Sequence, residues 1–465
     1  MISDLNPTGM PLHFTVLFPH GDHGWDESMK QVASSKRLTA REFAIYHLAT
    51  RDEKQLTYEE AVERELVDYI HLAGRLFQEW CCMQWKMVED GRLNYQALNQ
   101  KALRADTYKN VRRAVNEHRM ALAPLGDALH PDDHRLRVGT KILSRAFVGS
   151  PRWYHRQFLD AMAIVREFGK QEFFVTMTCN PRWPEIRAEL RPDQNPEDRP
   201  DVTTAVFKLK YDALMADLVK AGILGKVKGH LAMVEFQKRG LPHAHILLIV
   251  AREDCLNTPD KVDSVICAEL PPDPEQAEEG SDKDQMRLLQ EIVATNMIHG
   301  PCGAANPRSP CMEDGKCTKG YPKAHRKETH IDPVSGAATY RRRAPEDGGR
   351  TITIKRGHME FQVDNRWVVP YSPYILLRYG CHVNVEKATS SGSAKYLYKY
   401  VTKGPDRAMV NTTVEGGERP PRDEIAEYRD LRSVGSCEAL WHLNGHAIAR
   451  RHPAVQVRKL SSFPN

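Results

Sequence analysis

The sequence has no long hydrophobic run, few cysteines for its length and almost no excess of charge. No apolar run approaches the roughly 18 residues that a membrane-spanning helix needs. Residues 1–10 lack the basic and then apolar regions of a secretory signal. Ten cysteines in 465 residues are too sparse for a disulfide scaffold. We therefore expect a soluble intracellular protein with no membrane partner.

The overall charge does not by itself indicate a polyanion-binding protein, and the glycine pattern does not indicate an ATP-binding loop. The chain has 66 Lys and Arg against 61 Asp and Glu, a net charge of +5, so a polyanion site must come from local clustering. The segments GILGKVKGH and SGSAKYL lack the Gly-x4-Gly-Lys-Ser/Thr spacing whose backbone amides hold phosphates. We expect no ATP site, and the sequence has no internal repeat.

The first 140 residues are typical of an all-helical domain, with DNA binding as a possible role. Thr57 and Glu60 form a capping-box pattern at the start of a predicted helix. Apolar residues then recur at spacings of three and four, which predicts a core-facing stripe of Val62, Leu66, Tyr69, Ala73, Leu76 and Trp80. A second, cation-rich helical stretch over 94–121 favours a solvated face over one that contacts phosphate.

Strands and helices alternate after residue 140. The segment EFFVTMTCNP predicts a strand, and residues 203–222 predict a helix that ends at Gly222 and buries one face made of Phe207, Tyr211, Leu214 and Leu218. Two further strands, KGHLAMVEFQ and HAHILLIVA, are separated only by the tight KRGLP, which predicts an antiparallel hairpin.

The alternation of strands and helices predicts a folded core that is interrupted by an insertion. The first part of the core is expected over 141–253 and the second over 346–404, followed by a C-terminal tail over 405–465. The insertion over 254–345 begins with a Pro-rich, acidic stretch that has few large apolar residues, so we expect no core there.

Two histidines lie on one face of the second hairpin strand. Side chains alternate along a strand, so His243 and His245 point the same way, about 6 to 7 Å apart. If the turn pairs Gln237 with His243, Glu235 lies opposite His245 and all four side chains share a face. Two imidazoles with one carboxylate or amide oxygen suit Mg²⁺ or Mn²⁺ that holds a phosphate. The alternative is a pair that only satisfies hydrogen bonds at a sheet surface.

A tyrosine-rich helix is predicted near the end of the second core segment, at KYLYKYVTKG. Tyr396 and Tyr400 lie four residues apart on one face with Lys399 and Lys403, whereas Tyr398 is rotated to the other side. A phenolate can attack phosphorus when cations favour its charged form. The alternative is an amphipathic helix whose tyrosines belong to the core.

The insertion contains four side chains with the chemistry of a zinc site. They are His299, Cys302, Cys311 and Cys317, in turn-rich sequence. The set is complete for tetrahedral zinc, with buried free thiols as the alternative, and such an ion would fold a segment that lacks its own core. The histidines of HGDHGW near the N-terminus are more typical of a surface loop.

The histidine pair and the tyrosine helix together resemble the HUH endonucleases. The order of several segments is further similar to the Rep-type nuclease domain of Helitron transposases, the rolling-circle DNA transposons, and the likeness covers nearly the whole chain. These segments are FVTMTCNPRWPEI, EFQKRGLPHAHILL, MIHGPCG, CTKGYPK, DNRWVVPYSPYILLRYGCHVNVE and KYLYKYVTKG. The resemblance implies an α+β protein with an antiparallel-sheet HUH (Rep-like) core, an N-terminal all-helical domain and a zinc-bearing insertion.

The resemblance also implies an activity and its residues. His243 and His245, with Gln237 or Glu235, would bind the catalytic metal, and Tyr396 and Tyr400 would be paired nucleophiles of the two-tyrosine subgroup. The activity would be metal-dependent cleavage and transfer of single-stranded DNA through a 5′-phosphotyrosine intermediate, at transposon ends.

Several expectations accompany that activity. His382, Asn384 and Glu386 share one face of a predicted strand and either line the same cleft or form a polar sheet face. Full Helitron transposases continue into a helicase, which this sequence lacks, so a helicase is expected from elsewhere. A eukaryotic host would place the protein in the nucleus. The alternatives are a catalytically inert, transposon-derived DNA-binding protein and a zinc hydrolase that uses water.

Overall fold

A computed structural model gives the fold, and it describes residues 6–32, 34–49, 69–103, 141–236, 240–276, 282–356, 359–388, 423–430 and 433–455. The α-helices are Gly9–His13 (α1), Ala40–Leu48 (α2), Tyr69–Leu72 (α3), Arg75–Leu98 (α4), Pro151–Phe168 (α5), Pro184–Arg187 (α6), Pro200–Ala216 (α7), Pro259–Asp263 (α8), Lys283–Asn296 (α9), Pro373–Tyr379 (α10), Glu424–Asp430 (α11) and Ser436–Leu443 (α12). None of the helices in these ranges has the length and apolarity to cross a bilayer.

The strands are Phe173–Thr178 (β1), Val227–Phe236 (β2), Pro242–Val250 (β3), Met312–Glu313 (β4), Lys316–Cys317 (β5), His330–Ile331 (β6), Ala338–Thr339 (β7), Thr351–Arg356 (β8), Met359–Asp364 (β9), Val383–Lys387 (β10) and Ala449–His452 (β11). Short 3-10 helices lie at Pro196–Asp198, Arg252–Asp254, Pro274–Gln276, Pro345–Asp347 and Asn365–Trp367, and one π-helical turn at Asp217–Ala221.

One five-stranded sheet organises the molecule, in the order β10-β1-β3-β2-β11, with every neighbouring pair antiparallel. The prediction of an α+β protein built on an antiparallel sheet is confirmed. The β2–β3 hairpin and the β1 strand are also confirmed. The remaining strands form three separate two-stranded ribbons, β4–β5, β6–β7 and β8–β9.

The hairpin register differs from the predicted one by two positions. Phe236 pairs with Pro242 and Glu235 pairs with His243, so the expected pairing of Glu235 with His245 is wrong. Proline has no backbone N–H and is tolerated as the first residue of a strand, so β3 begins at Pro242 and the pairing starts there. Gln237 lies outside the described residues.

One face of the sheet carries the main hydrophobic core. Val175, Met177 and Ile246 point into it and are almost fully buried. The four α7 and π-turn residues expected on its buried face, Phe207, Tyr211, Leu214 and Leu218, are all fully buried in the same core. The helical run ends at Gly222, whose left-handed backbone (φ 66°) makes the stop, as predicted.

Helix α5 covers part of the opposite sheet face. It begins after Ser150, whose hydroxyl accepts from the N–H of Trp153 at 3.0 Å. Ile164 then packs on Leu231 and Leu247, while Trp153 packs on the β2 residue Met233. The polar positions of β1 and β3 lie on this same face, because they alternate with the core residues.

The predicted helix through residue 80 is interrupted. Gly74, with φ 53°, separates α3 from α4, and the new helix changes the buried face. Leu76, expected in the core, is therefore 39% exposed, whereas Phe77 and Trp80 are fully buried. The Thr57 capping box lies outside the described residues.

The first helices pack against a helix from the other end of the chain. Phe77, Trp80 and Cys81 of α4 share a buried cluster with Ala439 and Leu440 of α12. A complete capping box is present at α2, where Thr39 and Glu42 satisfy each other's backbone N–H groups. Residues distant in sequence thus build one hydrophobic cluster.

The acidic segment after residue 254 does contribute to the core, so the expectation that it lacks one is wrong. Leu256, Val262, Ile266 and Leu270 are 2–6% exposed or fully buried and belong to the main core. Its apolar residues are few, but these four pack into the main core. The low apolar content of the segment therefore did not predict its burial.

Candidate functional site: a histidine face and a Cys/His cluster

The polar face of the sheet brings together residues from three adjacent strands. Thr178 lies opposite His243, while Thr176 lies opposite both His245 and Asn384. Because directly paired residues share a sheet face, these side chains form one surface. We call it the histidine face, which comprises Glu235, His243, His245, Thr176, Thr178, His382, Asn384 and Glu386.

Two threonines of β1 hold the two imidazoles. The hydroxyl of Thr178 lies 2.8 Å from Nδ1 of His243, and that of Thr176 lies 3.1 Å from Nδ1 of His245. The ring of Phe174 stacks on His245 at 5.8 Å between centroids. Since a threonine engages Nδ1 of each ring, a metal ion would be bound through Nε2.

Burial keeps His243 neutral. His243 is only 8% exposed, and its pKa is lowered to about 4. Burial is the main cause, and the neighbouring His245 and His382 also lower the pKa of His243. A neutral imidazole retains the lone pair that a metal ion requires. The site is therefore chemically able to bind a cation at neutral pH without first releasing a proton from His243.

Glu235 brings a carboxylate to the same place. It lies opposite His243, and its Oε2 is 3.3 Å from Nε2 of His245. The two imidazoles and this carboxylate thus occupy one face, as the alternation of side chains predicted, although the register is different.

Three polar residues extend the face across β1. His382 places Nδ1 3.4 Å from the Thr178 hydroxyl, and burial lowers the pKa of this imidazole. Asn384 is 9% exposed and donates from Nδ2 to Glu386 Oε1 at 3.3 Å. The backbone therefore brings His382, Asn384 and Glu386 to the same surface as the paired histidines.

The predicted nucleophile helix lies outside the described residues, and with it Tyr396, Lys399, Tyr400 and Lys403. The chain leads towards that segment from β10, where Ala388 donates its N–H to the carbonyl of Glu172 at 2.7 Å. The roles of these four residues stay predictions.

The Cys/His cluster is assembled as the sequence predicted. His299, Cys302, Cys311 and Cys317 bring their ligand atoms within 4.8 Å of one another, and no other group of three or more such side chains in the described ranges does so. Nε2 of His299 lies 3.3 Å from Sγ of Cys317. Three thiols and one imidazole are the donor set of a tetrahedral zinc site.

A tight hairpin turn positions two of the thiols. Asp314 and Gly315 have φ values of 48° and 74°, the pattern of a two-residue type I′ turn between β4 and β5. Met312 pairs with Cys317, so Cys311, one residue earlier, is brought beside it. The EDGK sequence therefore builds half of the cluster.

A second turn positions the other two ligands. His299 is tied to the core by its N–H, which donates to the carbonyl of Trp367 at 2.9 Å. Gly300 then turns the chain with φ 97°, and a Cβ there would lie 2.9 Å from the backbone nitrogen of Cys302. Only glycine fits this turn, which directs the buried Cys302 back towards His299.

Local hydrogen bonds make one thiol a better ligand than the others. Burial raises the pKa of Cys317, but backbone N–H groups of Tyr321 and Lys319 more than offset it, so its pKa is below its ordinary value. Burial raises the pKa of Cys302 to about 12, and the neighbouring thiols Cys311 and Cys317 act in the same direction. A bound divalent cation would favour the thiolate form of all three cysteines, including Cys302.

Sequence reasoning missed the two threonines that hold the imidazoles. Thr176 and Thr178 lie two apart in FVTMTC, so alternation placed them on one face, but their partners come from a strand about 67 residues away.

Part of the chain is similar to a known protein family. Residues 60–248 match a family model described as the Helitron helicase-like domain at the N-terminus. The matched segment includes β1, β2 and most of β3, with both histidines, and supports a Helitron-related protein. No curated protein matches the chain.

Proposed function

We propose that the protein is a Helitron-type rolling-circle transposase nuclease of the HUH class. It would cleave and transfer single-stranded DNA through a 5′-phosphotyrosine intermediate. The observation that carries the proposal is the pair His243 and His245 on one sheet face, each held at Nδ1 by a threonine of the neighbouring strand. A carboxylate on the same face supports the proposal: Glu235 pairs with His243 in the sheet, and its Oε2 lies 3.3 Å from Nε2 of His245.

We infer that this face binds a divalent cation, whose ligands would have to move closer together than they are here. Nε2 of His243, Nε2 of His245 and the carboxylate of Glu235 would hold Mg²⁺ or Mn²⁺, with Gln237 as the other candidate ligand. When bound, such an ion supplies Lewis-acid polarisation of a phosphodiester. Thr176 and Thr178 would keep the rings oriented towards it.

The chemistry itself would belong to the tyrosines. The phenolic oxygen of Tyr396 or Tyr400 forms a bond to phosphorus, the bond from phosphorus to the 3′ oxygen breaks, and that oxygen leaves as a hydroxyl after taking up a proton. Lys399 and Lys403 would favour the phenolate and the pentacovalent anion. With two tyrosines, one holds the first strand while the other cleaves or receives a second, and the phosphodiester energy is conserved without ATP.

The remaining parts would bind and support the substrate. The Cys/His cluster would bind structural Zn²⁺ through His299 and the three thiolates. Lys and Arg side chains would contact phosphates of transposon-end DNA, and aromatic residues would stack on unpaired bases. Strand separation would require a helicase, in another domain or from the host.

A denaturing gel tests the proposal. The full chain is incubated with 3′-labelled single-stranded oligonucleotides from transposon ends and Mn²⁺, because a 5′-phosphotyrosine link keeps the 3′ portion of the cleaved strand on the protein. We expect a slowly migrating, covalently labelled protein that is lost in the Tyr396→Phe, Tyr400→Phe double variant. Tyr398→Phe, predicted to face the other way, is the matched control and should retain it.

Two other outcomes would replace the proposal. Cleavage without a covalent adduct would indicate attack by water, as in a hydrolase. Retention of DNA without cleavage, in Mg²⁺ and in Mn²⁺, would indicate a DNA-binding protein that lacks catalysis.

A further inference from the structure

A short segment around two thiols of the Cys/His cluster is strongly basic. We call residues 308–326 the basic hairpin, because they contain the β4–β5 ribbon and the turn that follows it. This segment has five Lys and Arg against two acidic residues, a net charge of +3, whereas the whole chain of 465 residues has +5. A zinc ion held by three thiolates leaves one negative charge, so the segment stays positive with the ion bound. Positive charge is therefore concentrated here.

The cations of the basic hairpin have no acidic partner within the described part of the chain. They are Arg308, Lys316, Lys319, Lys323 and Arg326. All of them are exposed except Lys323, which is partly buried. Neighbouring basic residues differ, since Lys327 pairs with Asp347 at 2.7 Å and Arg366 pairs with Asp364 at 2.8 Å. The cations of the hairpin are therefore available to an external anion.

The basic hairpin holds its charges on a fixed frame. The ring of Tyr321 stacks on the ring of His299 with centroids 4.2 Å apart and planes within 17°. The ammonium of Lys323 donates to the carbonyl of Lys319 at 2.8 Å and lies 4.9 Å from the centre of the Tyr321 ring. A surface whose side chains are already positioned loses less conformational entropy when a partner binds.

Backbone hydrogen bonds place the basic hairpin beside β10. The N–H of Lys323 donates to the carbonyl of Arg366 at 3.0 Å. Four residues later, the carbonyl of Pro370 accepts from the N–H of Val385 at 3.0 Å and from Nδ2 of Asn384 at 3.3 Å. Asn384 belongs to the histidine face, so one short loop joins the hairpin to the strand that forms the edge of that face.

Resting on the proposed function, we propose that the basic hairpin is a docking surface for single-stranded DNA, which it holds by the phosphates while the scissile bond lies at the histidine face. Lysine and arginine contacts to phosphates give affinity and register without reading the base sequence. The partner is a single strand, because the adjoining face is proposed to act on single strands and because a flexible strand can follow a short, turn-rich surface.

Fluorescence anisotropy of the full, zinc-loaded chain with a labelled single-stranded oligonucleotide tests the docking surface. The titrations contain no Mg²⁺ or Mn²⁺, so binding is measured without cleavage. Lys316→Gln combined with Lys319→Gln removes two exposed charges and leaves all four ligands of the Cys/His cluster in place. The zinc content of each variant checks that the cluster is retained.

We expect this double variant to bind the single strand more weakly and with a smaller dependence on salt. Each phosphate contact contributes about 0.7 to the slope of log affinity against log salt, so the loss of two contacts should lower the slope by about 1.4. That slope corresponds to about fivefold in affinity for each contact at about 0.1 M salt, relative to about 1 M. Lys36→Gln combined with Lys283→Gln, at two exposed lysines of other segments, is the matched control and should retain most of the affinity.

The outcomes distinguish this inference from the proposed nuclease activity. Unchanged affinity and an unchanged salt slope in the Lys316→Gln, Lys319→Gln variant would overturn the docking surface even if the protein cleaves DNA. An equal loss in the control variant, or a loss seen only with a duplex of the same sequence, would overturn it as well. Conversely, a protein that never forms a covalent DNA adduct but shows the expected loss keeps the docking surface and loses the nuclease proposal.

Discussion

At the scale of single residues, the threonines of β1 decide how the paired histidines can act. Each hydroxyl engages Nδ1, at 2.8 Å for His243 and 3.1 Å for His245, so a cation would be bound by the other ring nitrogen, Nε2. A hydrogen bond from the second ring nitrogen fixes both the tautomer and the ring orientation of a metal-binding histidine. The affinity for a cation should therefore depend on residues that never touch it.

Thr178→Val should weaken cation binding while the fold is retained. Valine keeps the branched shape that fits the strand but removes the hydroxyl from His243. We expect Mn²⁺ affinity to fall about 10-fold to 100-fold, the usual effect of losing such a partner. Isothermal titration with Mn²⁺ measures it, and Thr353→Val on the exposed side of β8 is the control. Equal affinities in both variants would contradict this role for Thr178.

The lowered pKa of His243 predicts a loss of stability in acid. Its folded pKa of about 4 lies below the ordinary value of 6.5, so between these values the unfolded chain binds a proton that the folded chain does not. The free energy of unfolding should fall as pH drops through this window, by up to about 1.4 kcal/mol per pH unit for this group.

Urea unfolding at pH 7.5 and pH 5, without divalent cations, tests that expectation. His243→Gln removes the titrating group and leaves its ionisable neighbours His245, His382 and Glu235 in place. The variant should therefore lose about 2 kcal/mol less than the unaltered protein on acidification. Parallel losses in the two proteins would show that His243 titrates normally.

The sequence predicts part of this site and cannot predict the rest. Strand alternation alone places His243 and His245 on one face, because that property is local, whereas Glu235 joins them through the pairing of β2 with β3. The pairing register is not local: Pro242 shifts it by two positions, and the partners Thr176 and Thr178 come from another strand. The Cys/His cluster was predictable because its four ligands lie within 19 residues and are joined by short turns.

At the scale of secondary-structure elements, glycines decide where the first long helix begins. Gly74 has φ 53°, and a Cβ there would lie 3.2 Å from Oδ1 of Asp198. Gly91, in the middle of α4, has nothing within 4 Å of its would-be Cβ. Apolar periodicity through Gly74 predicted one helix up to Trp80, but the backbone of Gly74 is one that a helix cannot continue, whereas that of Gly91 is helical.

These two glycines should respond in opposite directions to the same substitution. Gly74→Ala should lower the free energy of unfolding by about 1 kcal/mol or more, because alanine is strained at positive φ. Gly91→Ala should raise it by about 0.5–1 kcal/mol, because alanine has the higher helix propensity. Urea unfolding measures both, and a stabilised Gly74→Ala would mean that the helix can continue through this position.

The small edge strand β11 was not predicted, because its pairing with β2 and not its own sequence makes it a strand. Its four residues, ARRH, carry no apolar alternation, and pairing with β2 alone makes them a strand. Arg450 forms a salt bridge with Asp212 of α7 at 2.8 Å, and Arg451 forms one with Asp160 of α5 at 2.6 Å. A strand that forms because its neighbour offers hydrogen-bonding groups cannot be predicted from its own residues alone.

At the scale of the whole molecule, a buried ion pair joins segments that are 272 positions apart. Arg152 of α5 and Glu424 of α11 are 8% and 4% exposed and form a direct salt bridge. Glu424 also accepts from the N–H of Leu143 at 2.9 Å. The pair ties the helix that covers the sheet to a segment that follows the predicted tyrosine helix.

Removing the carboxylate should therefore destabilise the whole fold. Glu424→Ala leaves the Arg152 guanidinium buried without its charge partner, which typically costs about 3–5 kcal/mol. Urea unfolding should reveal this loss, whereas Glu253→Ala at an exposed position should stay within about 0.5 kcal/mol of the unaltered protein. A loss of the control's size would mean that water reaches Arg152.

The placement of β11 has a practical consequence for anyone who shortens the chain. A fragment cut at residue 404, the predicted end of the second core segment, would keep both histidines but strip Ala449–His452 from β2. The bared strand would then present free N–H and C=O groups to solvent, a template on which two copies can join side by side or precipitate. Truncation trials should retain residues 449–452, or supply that strand as a peptide.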